Sequence, residues 1–163
     1  TSGFHQRVAY QRIQNGKASF ENIVLLDIHE KPITLIEYGQ KVILRMAISI
    51  HEDITLLGFG YHIRNKNGVD IIYSDSPIEG KDLNYLIKGD HFIIDWTYNT
   101  ELIQGEYNIA CVLSEPLDLQ LGKVIFCDYI PYAYQFRVEV RSPSPMYGLV
   151  HWDNSVKISK VDV

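Results

Sequence analysis

The chain has 163 residues, 46% hydrophobic and 21% charged, with a formal net charge of −5. That length and balance suit one globular domain. The acidic total excludes a general binder of nucleic-acid backbones, which shows a basic patch or stripe, and no apolar run approaches the roughly 18 residues of a membrane helix.

The chain opens TSGFHQ, with no Met and no secretory signal, so an excised piece of a longer polypeptide is expected, although a processed terminus would look the same. Residues 1–16 are polar with scattered apolar positions and read as a lead-in, helical in part, to a single domain over 17–163. Residues 18–28, ASFENIVLLDI, predict a strand with Ile23 and Leu25 on one face. A turn through Pro32 ends it, because proline cannot donate to a ladder. Leu35 and Ile36 predict a short extension, and Tyr38-Gly39 a further turn. Residues 41–50 alternate cleanly: Val42, Leu44, Met46, Ile48 and Ile50 form an apolar row, with Arg45, Ala47 and Ser49 opposite. Residues 54–64 do the same, with Leu57, Phe59, Tyr61 and Ile63 against Gly58, Gly60, His62 and Arg64. Asn67-Gly68 then predicts a hairpin turn, and 69–75 the returning strand.

Pro77, Gly80 and Gly89 mark 76–89 as a long loop with room for one helical turn. Residues 90–98 predict a strand with Phe92, Ile94, Trp96 and Tyr98 on one face. Next comes the pattern L-x-x-G-x-Y at Leu102, Gly105 and Tyr107, where Gly105 supplies the positive φ of a sharp turn. Tyr107, Ile109, Cys111 and Leu113 then face one way, and Asn108, Ala110, Val112 and Ser114 the other. A Tyr two residues after a turn Gly is similar to the tyrosine corner of immunoglobulin-like sandwiches, whose hydroxyl bonds back to the corner backbone. On that reading Tyr107 is structural. Residues 115–123 are a second long connection, and 124–129 and 130–140 predict strands broken near Pro131. In the latter, Tyr132, Tyr134, Phe136, Val138 and Val140 point inward and Ala133, Gln135, Arg137 and Glu139 outward. After a Pro-containing connection, 142–147, the row Val156, Ile158 and Val161 suggests one more strand within 149–163. Short strands at regular spacing, with almost no helical periodicity, predict an all-β fold: an antiparallel immunoglobulin-like or jelly-roll β-sandwich.

Little argues for catalysis. The six His stand at positions 5, 29, 51, 62, 91 and 151, none within four residues of another, so no H-x-H spacing for a metal arises. Cys111 and Cys127 sit in apolar runs and read as buried free thiols, too few for a disulfide framework. There is no G-x-S-x-G and no Gly-rich phosphate loop opening a helix. Asp95 and Asp128 are candidate paired carboxylates, although two Asp on solvated sheet faces explain them as well. The reading is a non-enzyme with no cofactor and no metal.

A binding face is the stronger signal, and the richness in Tyr, Phe and Trp suits contact with sugars. In an immunoglobulin-like order, 54–64, 106–114 and 130–140 are neighbours in one sheet. Their outward rows gather Gly58, Gly60, His62, Arg64, Asn108, Ala110, Gln135 and Arg137. Gly58, Gly60 and Ala110 make a floor on which a sugar can lie, and planar donors border it. Arg64 and Arg137 are the anion partners if the glycan carries phosphate. A plain solvated face explains the same rows without a ligand. Trp152, in GLVHWDNS, reads as a packing residue ahead of a ligand platform; Trp96, Tyr98 and Trp152 are the next candidates if the face fails.

The succession KASFENIVLLDIHEKPI, IEYGQKVILRMAI, GYHIRNKNGVDI, ELIQGEYNIACVL and GLVHWDNSVKI resembles the C-terminal domain of Wzt-type ATPases. Those are the nucleotide-binding subunits of ABC transporters that export O-antigen polysaccharides. The likeness runs from the first strand to the end of the chain. The ATPase domain itself is missing, since no G-x-x-x-x-G-K-[ST] occurs, and ATP hydrolysis is not assigned. The resemblance implies a jelly-roll-like sandwich that binds finished O-polysaccharide, often through a modification at its non-reducing end, coupling chain termination to export. It implies as partners the ATPase domain of the same polypeptide and the transporter's membrane subunit, and a cytoplasmic location at the inner face of the inner membrane. It also implies a homodimer with exchange of the C-terminal strand. No binding residue is carried over; the face above rests on strand parity. The rivals are a structural or protein-docking sandwich without a glycan site, and a small sugar-modifying enzyme.

Overall fold

Alternating apolar and polar residues build strands that bury one face each, and the chain uses almost nothing else. The computed structural model describes residues 2–118 and 120–162; Thr1, Leu119 and Val163, which fall in the predicted lead-in, the second long connection and the last predicted segment, lie outside the described residues. In chain order the elements are α1 (Ser2–Arg7), β1 (Ile13–Gln14), β2 (Ala18–Leu26), β3 (Leu35–Ile36), β4 (Lys41–Ile50), β5 (Ile54–Asn65), β6 (Asp70–Asp75), β7 (Leu83–Leu86), β8 (His91–Asn99), β9 (Gly105–Asp118) and β10 (Lys123–Val138). They form a β-sandwich. The large sheet runs β1-β10-β9-β5-β6, with β3 beside β10 and β7 beside β5, and the small sheet runs β2-β4-β8. Apart from β3 with β10, the pairings are antiparallel.

The core lies where the two inner faces meet. Leu57, Ile63, Ile109 and Leu113 of the large sheet and Leu25, Leu44, Met46 and Ile48 of the small one are fully buried. Each such side chain contributes roughly 1.5–3 kcal/mol by leaving water. Trp96 of β8 packs edge-on against Tyr61 and Phe59 of β5, with ring centroids 5.0 and 5.7 Å apart, which locks the sheets together at one side. The corner before β9 forms as its pattern predicts: Gly105 has φ of 148°, and the Tyr107 hydroxyl donates to the Ile103 carbonyl at 2.5 Å.

The lead-in is fastened to the large sheet. Phe4 and Val8 are buried in the core. Arg12 forks onto Asp128 of β10, Nε at 2.9 Å and Nη2 at 2.6 Å, and the Phe20 amide donates to the same carboxylate at 2.8 Å. Asp128 is therefore fully buried and paired, not an acid on a solvated face. Asp95 pairs with Arg45 on the small sheet, so the two Asp do not form a carboxylate pair.

Two irregularities in β10 redirect its side chains. Phe126 opposes Ser114 but Asp128 opposes Leu113, so Cys127 is an extra residue and Asp128 turns inward. From Ile130 to Tyr134 the strand takes four steps while its partner goes only from Cys111 to Ile109. Tyr132 is consequently exposed and Ala133 buried, the reverse of simple alternation, while Tyr134, Phe136 and Val138 are buried and Val140 is exposed. Three further expectations change. The segments predicted at 124–129 and 130–140 are one continuous strand, Lys123–Val138, which stops short of Val140. The loop 76–89 contains β7, which forms because Leu86 reaches the core. After the bridge of Val150 to Leu102 the chain makes no strand through residue 162, and Trp152, Val156 and Ile158 are all exposed.

Candidate ligand cleft

Residues directly opposed in neighbouring strands share a face. On the outer face of the large sheet this makes two ranks. One runs Tyr129, Val112, Gly60, Asp75; the other runs Phe126, Ser114, Gly58. Small residues in the middle and large ones at the sides hollow the sheet into a cleft of about 330 Å³.

Its two walls are aromatic. From β10, the rings of Phe126 and Tyr129 stack with centroids 5.4 Å apart. From β5 and β6, the rings of His62 and Tyr73 meet at 4.7 Å. Gly58, Gly60, Val112 and Ser114 line the floor, and Leu56, Pro77, Pro116 and Val124 extend the lining. The glycines answer to different neighbours. A Cβ on Gly60 would lie 2.7 Å from the Ser74 carbonyl oxygen, so Gly60 permits the close approach of β6. A Cβ on Gly58 would meet the Ser114 hydroxyl at 3.3 Å, which that rotor can yield to.

The polar groups are few and mostly committed. Asp75 accepts the Tyr73 hydroxyl and the Ile78 amide, which fixes it at the edge of the floor. Arg64 donates to Asp70 at 2.7 Å and to the Tyr129 hydroxyl at 3.2 Å. It therefore braces one wall from outside the lining. His62 Nδ1 is buried 3.3 Å from Asp70 without hydrogen-bond alignment. Burial holds the His62 pKa below its ordinary value, against the pull of Asp70. Burial and the Asp75 carboxylate push the Tyr73 hydroxyl up to about 12. Asp82 lines the cleft and has no ion-pair partner among the described residues.

Of the residues singled out from the sequence, Gly58, Gly60 and His62 line the cleft, and Arg64 touches it through Tyr129. The others lie outside the lining. Asn108 donates to the Pro131 carbonyl and accepts from Gln135, so the two amides satisfy each other. Ala110 is fully covered, and Arg137 is exposed farther along β10 beside β3. Val112 and Ser114 belong to the same row as Asn108 and were legible by parity. Phe126 and Tyr129 were hidden by the extra residue between them. Among the described residues no group of three or more His, Cys, Asp and Glu is placed to hold a metal ion. Cys111 and Cys127 are free and buried, and burial raises both thiols, Cys127 to about 11, so neither is a ready nucleophile.

The family model of the Wzt C-terminal domain matches residues 9–152. Among solved structures, the chain is similar to the crystal structure of the C-terminal domain of Wzt, with a TM-score of 0.80 at 16% identity, over 96% of this chain and 95% of that one. It is also similar to a Niemann-Pick type C2 protein from Japanese carpenter ant, with a TM-score of 0.50 at 13% identity, over 80% of this chain and 100% of that one. At these identities the structural likeness speaks for the fold alone. No curated protein matches the sequence.

Proposed function

Because the chain belongs to the Wzt C-terminal domain family, we propose that it binds O-antigen polysaccharide without catalysis, at the non-reducing end, and so couples chain termination to export by an ABC transporter. The observation that carries this reading is the cleft: two aromatic walls facing each other across a floor of small residues. Sugar rings offer apolar C–H faces to aromatic rings and hydroxyls to a few oriented polar groups, and both are provided. In this reading the partners are an ATPase domain of the same polypeptide and the transporter's membrane subunit, at the cytoplasmic face of the inner membrane. A homodimer forms by adding the segment after Gly148 to the partner's sheet.

The test is retention on immobilised, purified O-polysaccharides of differing serotypes. The variant that decides is Val112→Trp, which fills the floor from a half-buried outward position. Gly60 is unsuitable, because any side chain there disturbs the pairing of β6. The parent domain is expected to retain a subset of serotypes, and Val112→Trp to lose them with unchanged far-UV circular dichroism. Retention by both places the glycan elsewhere. The exposed Leu117, Leu121 and Ile125 at the far end of β9 and β10 favour a second reading, a protein-docking sandwich; failure to retain any polysaccharide would support it.

A further inference from the structure

One aromatic wall of the cleft exists because β10 carries an extra residue, and the groups that hold that residue in place come from outside the strand. Phe126 opposes Ser114 and Asp128 opposes Leu113, which leaves Cys127 unopposed and sets Tyr129 against Val112 on the cleft side. With the bulge lost, Cys127 would oppose Leu113, Asp128 would oppose Val112 and Tyr129 would oppose Cys111. Directly opposed residues share a face. The acid would then stand over the cleft floor, in water, and the Tyr129 ring would turn to the core beside Cys111, which is fully buried. Simple alternation favours that second register, since it exposes the charge and buries the ring.

The observed register holds because the inward carboxylate is met. Arg12 brings Nε to 2.9 Å and Nη2 to 2.6 Å, and the Phe20 amide donates at 2.8 Å. The lead-in aims this guanidinium. Gln11, just before it, takes a left-handed φ of 54°, which is uncommon for a residue with a side chain. Arg12 Nη1 donates to His5 Nδ1 at 2.9 Å, and Nη2 also reaches the Phe20 carbonyl at 3.1 Å. The Asn15 amide donates to the Cys127 carbonyl at 3.0 Å, and β1 sets Ile13 opposite Tyr129. The lead-in thus grips both residues of the bulge. Arg12 itself does not line the cleft.

We propose that Arg12 is a positioning residue for the cleft: through Asp128 it fixes the register of β10, and with it the Tyr129 ring and its stack on Phe126. The lead-in then belongs to the site although none of its residues lines it. Choosing between registers is the best-attested use of a buried polar or ionic group. An Arg12 that only added stability would leave the register unchanged when removed. The effect on ligand rests on the glycan reading above; the register does not.

The experiment reads the register by cross-strand NOEs in the full chain, and binding separately, by retention on the immobilised O-polysaccharides that the parent retains. In Arg12→Met the unpaired Asp128 should turn to water. NOEs that pair Tyr129 with Val112 should give way to NOEs with Cys111, and retention should fall at least tenfold. Arg12→Met with Asp128→Leu should restore the parental NOEs, and retention to within threefold of the parent, because an apolar residue faces inward without a partner. Arg12→Lys keeps the charge but not the fork. It covers the case in which Arg12→Met does not fold, and should show both sets of NOEs. Parental NOEs alone in folded Arg12→Met, or in Arg12→Lys where Arg12→Met does not fold, would overturn the proposal, and so would a changed register with undiminished retention. If the parent retains no polysaccharide, the glycan reading falls and the NOEs alone decide the role of Arg12.

Discussion

At the scale of single residues, the fold and the cleft draw on adjacent side chains of one strand. Tyr107 of β9 faces the core and closes the corner; Val112 and Ser114, of the opposite parity, face the cleft. Removing the Tyr107 hydroxyl should therefore cost stability and spare binding. Tyr107→Phe is expected to lower unfolding free energy by about 1 kcal/mol, the worth of one internal hydrogen bond, in urea titration, with retention on polysaccharide unchanged. An unaltered midpoint would mean that the bond to Ile103 contributes nothing. Parity in the sequence was enough to put His62, Gly58 and Gly60 on the outward face. It said nothing about reach. Asn108 and Gln135 share the face but spend their amides on each other and on Pro131. A pair of amides farther along the strands that carry the wall cannot be told from a ligand-binding pair by alternation alone.

At the scale of elements, most of the architecture was readable because nearly every strand alternates without interruption. β4 was legible to the residue, and the hairpin of β5 and β6 followed from Asn67-Gly68. β10 was legible only in its second half, where Tyr134, Phe136 and Val138 are buried as expected; before that, a bulge that leaves no mark in composition shifts the parity. Its extra residue, Cys127, points Asp128 inward, against the solvated position expected of it, and Tyr129 outward. That inward carboxylate meets the Arg12 guanidinium, with side-chain exposures of 0% and 6%. Removing one partner strands a charge in the interior, whereas removing both does not. Asp128→Leu alone should cost about 3–5 kcal/mol in chemical denaturation, and Arg12→Met with Asp128→Leu much less than the sum of the single changes. Additive losses would show that the pair does not act as a unit.

At the scale of the whole molecule, the chain is left with complementary unsatisfied parts. β8 is an end strand of the small sheet, and the described segment 151–162 carries Val156, Ile158 and Val161 in the open. A strand's worth of apolar side chains and an open edge in one chain favour exchange between two copies. Truncation after Gly148 is expected to give a monomer or an aggregate in analytical ultracentrifugation, and a truncated protein that stays a well-behaved dimer would refute this interface. The sequence signalled the row but could not supply its neighbour, since a strand is defined by what it pairs with. The cleft, too, is unequal on its two sides. The Phe126–Tyr129 wall belongs to a strand bonded to β9, β1 and β3 and pinned through Asp128 to the lead-in. The Tyr73 wall belongs to β6, which among the described residues pairs only with β5. If the cleft takes a sugar, as proposed, it would do so as a clamp with one fixed jaw and one less restrained: the β5–β6 hairpin is the side expected to yield to a bulkier guest, and its stiffness, more than the shape of the fixed side, would set the largest residue retained.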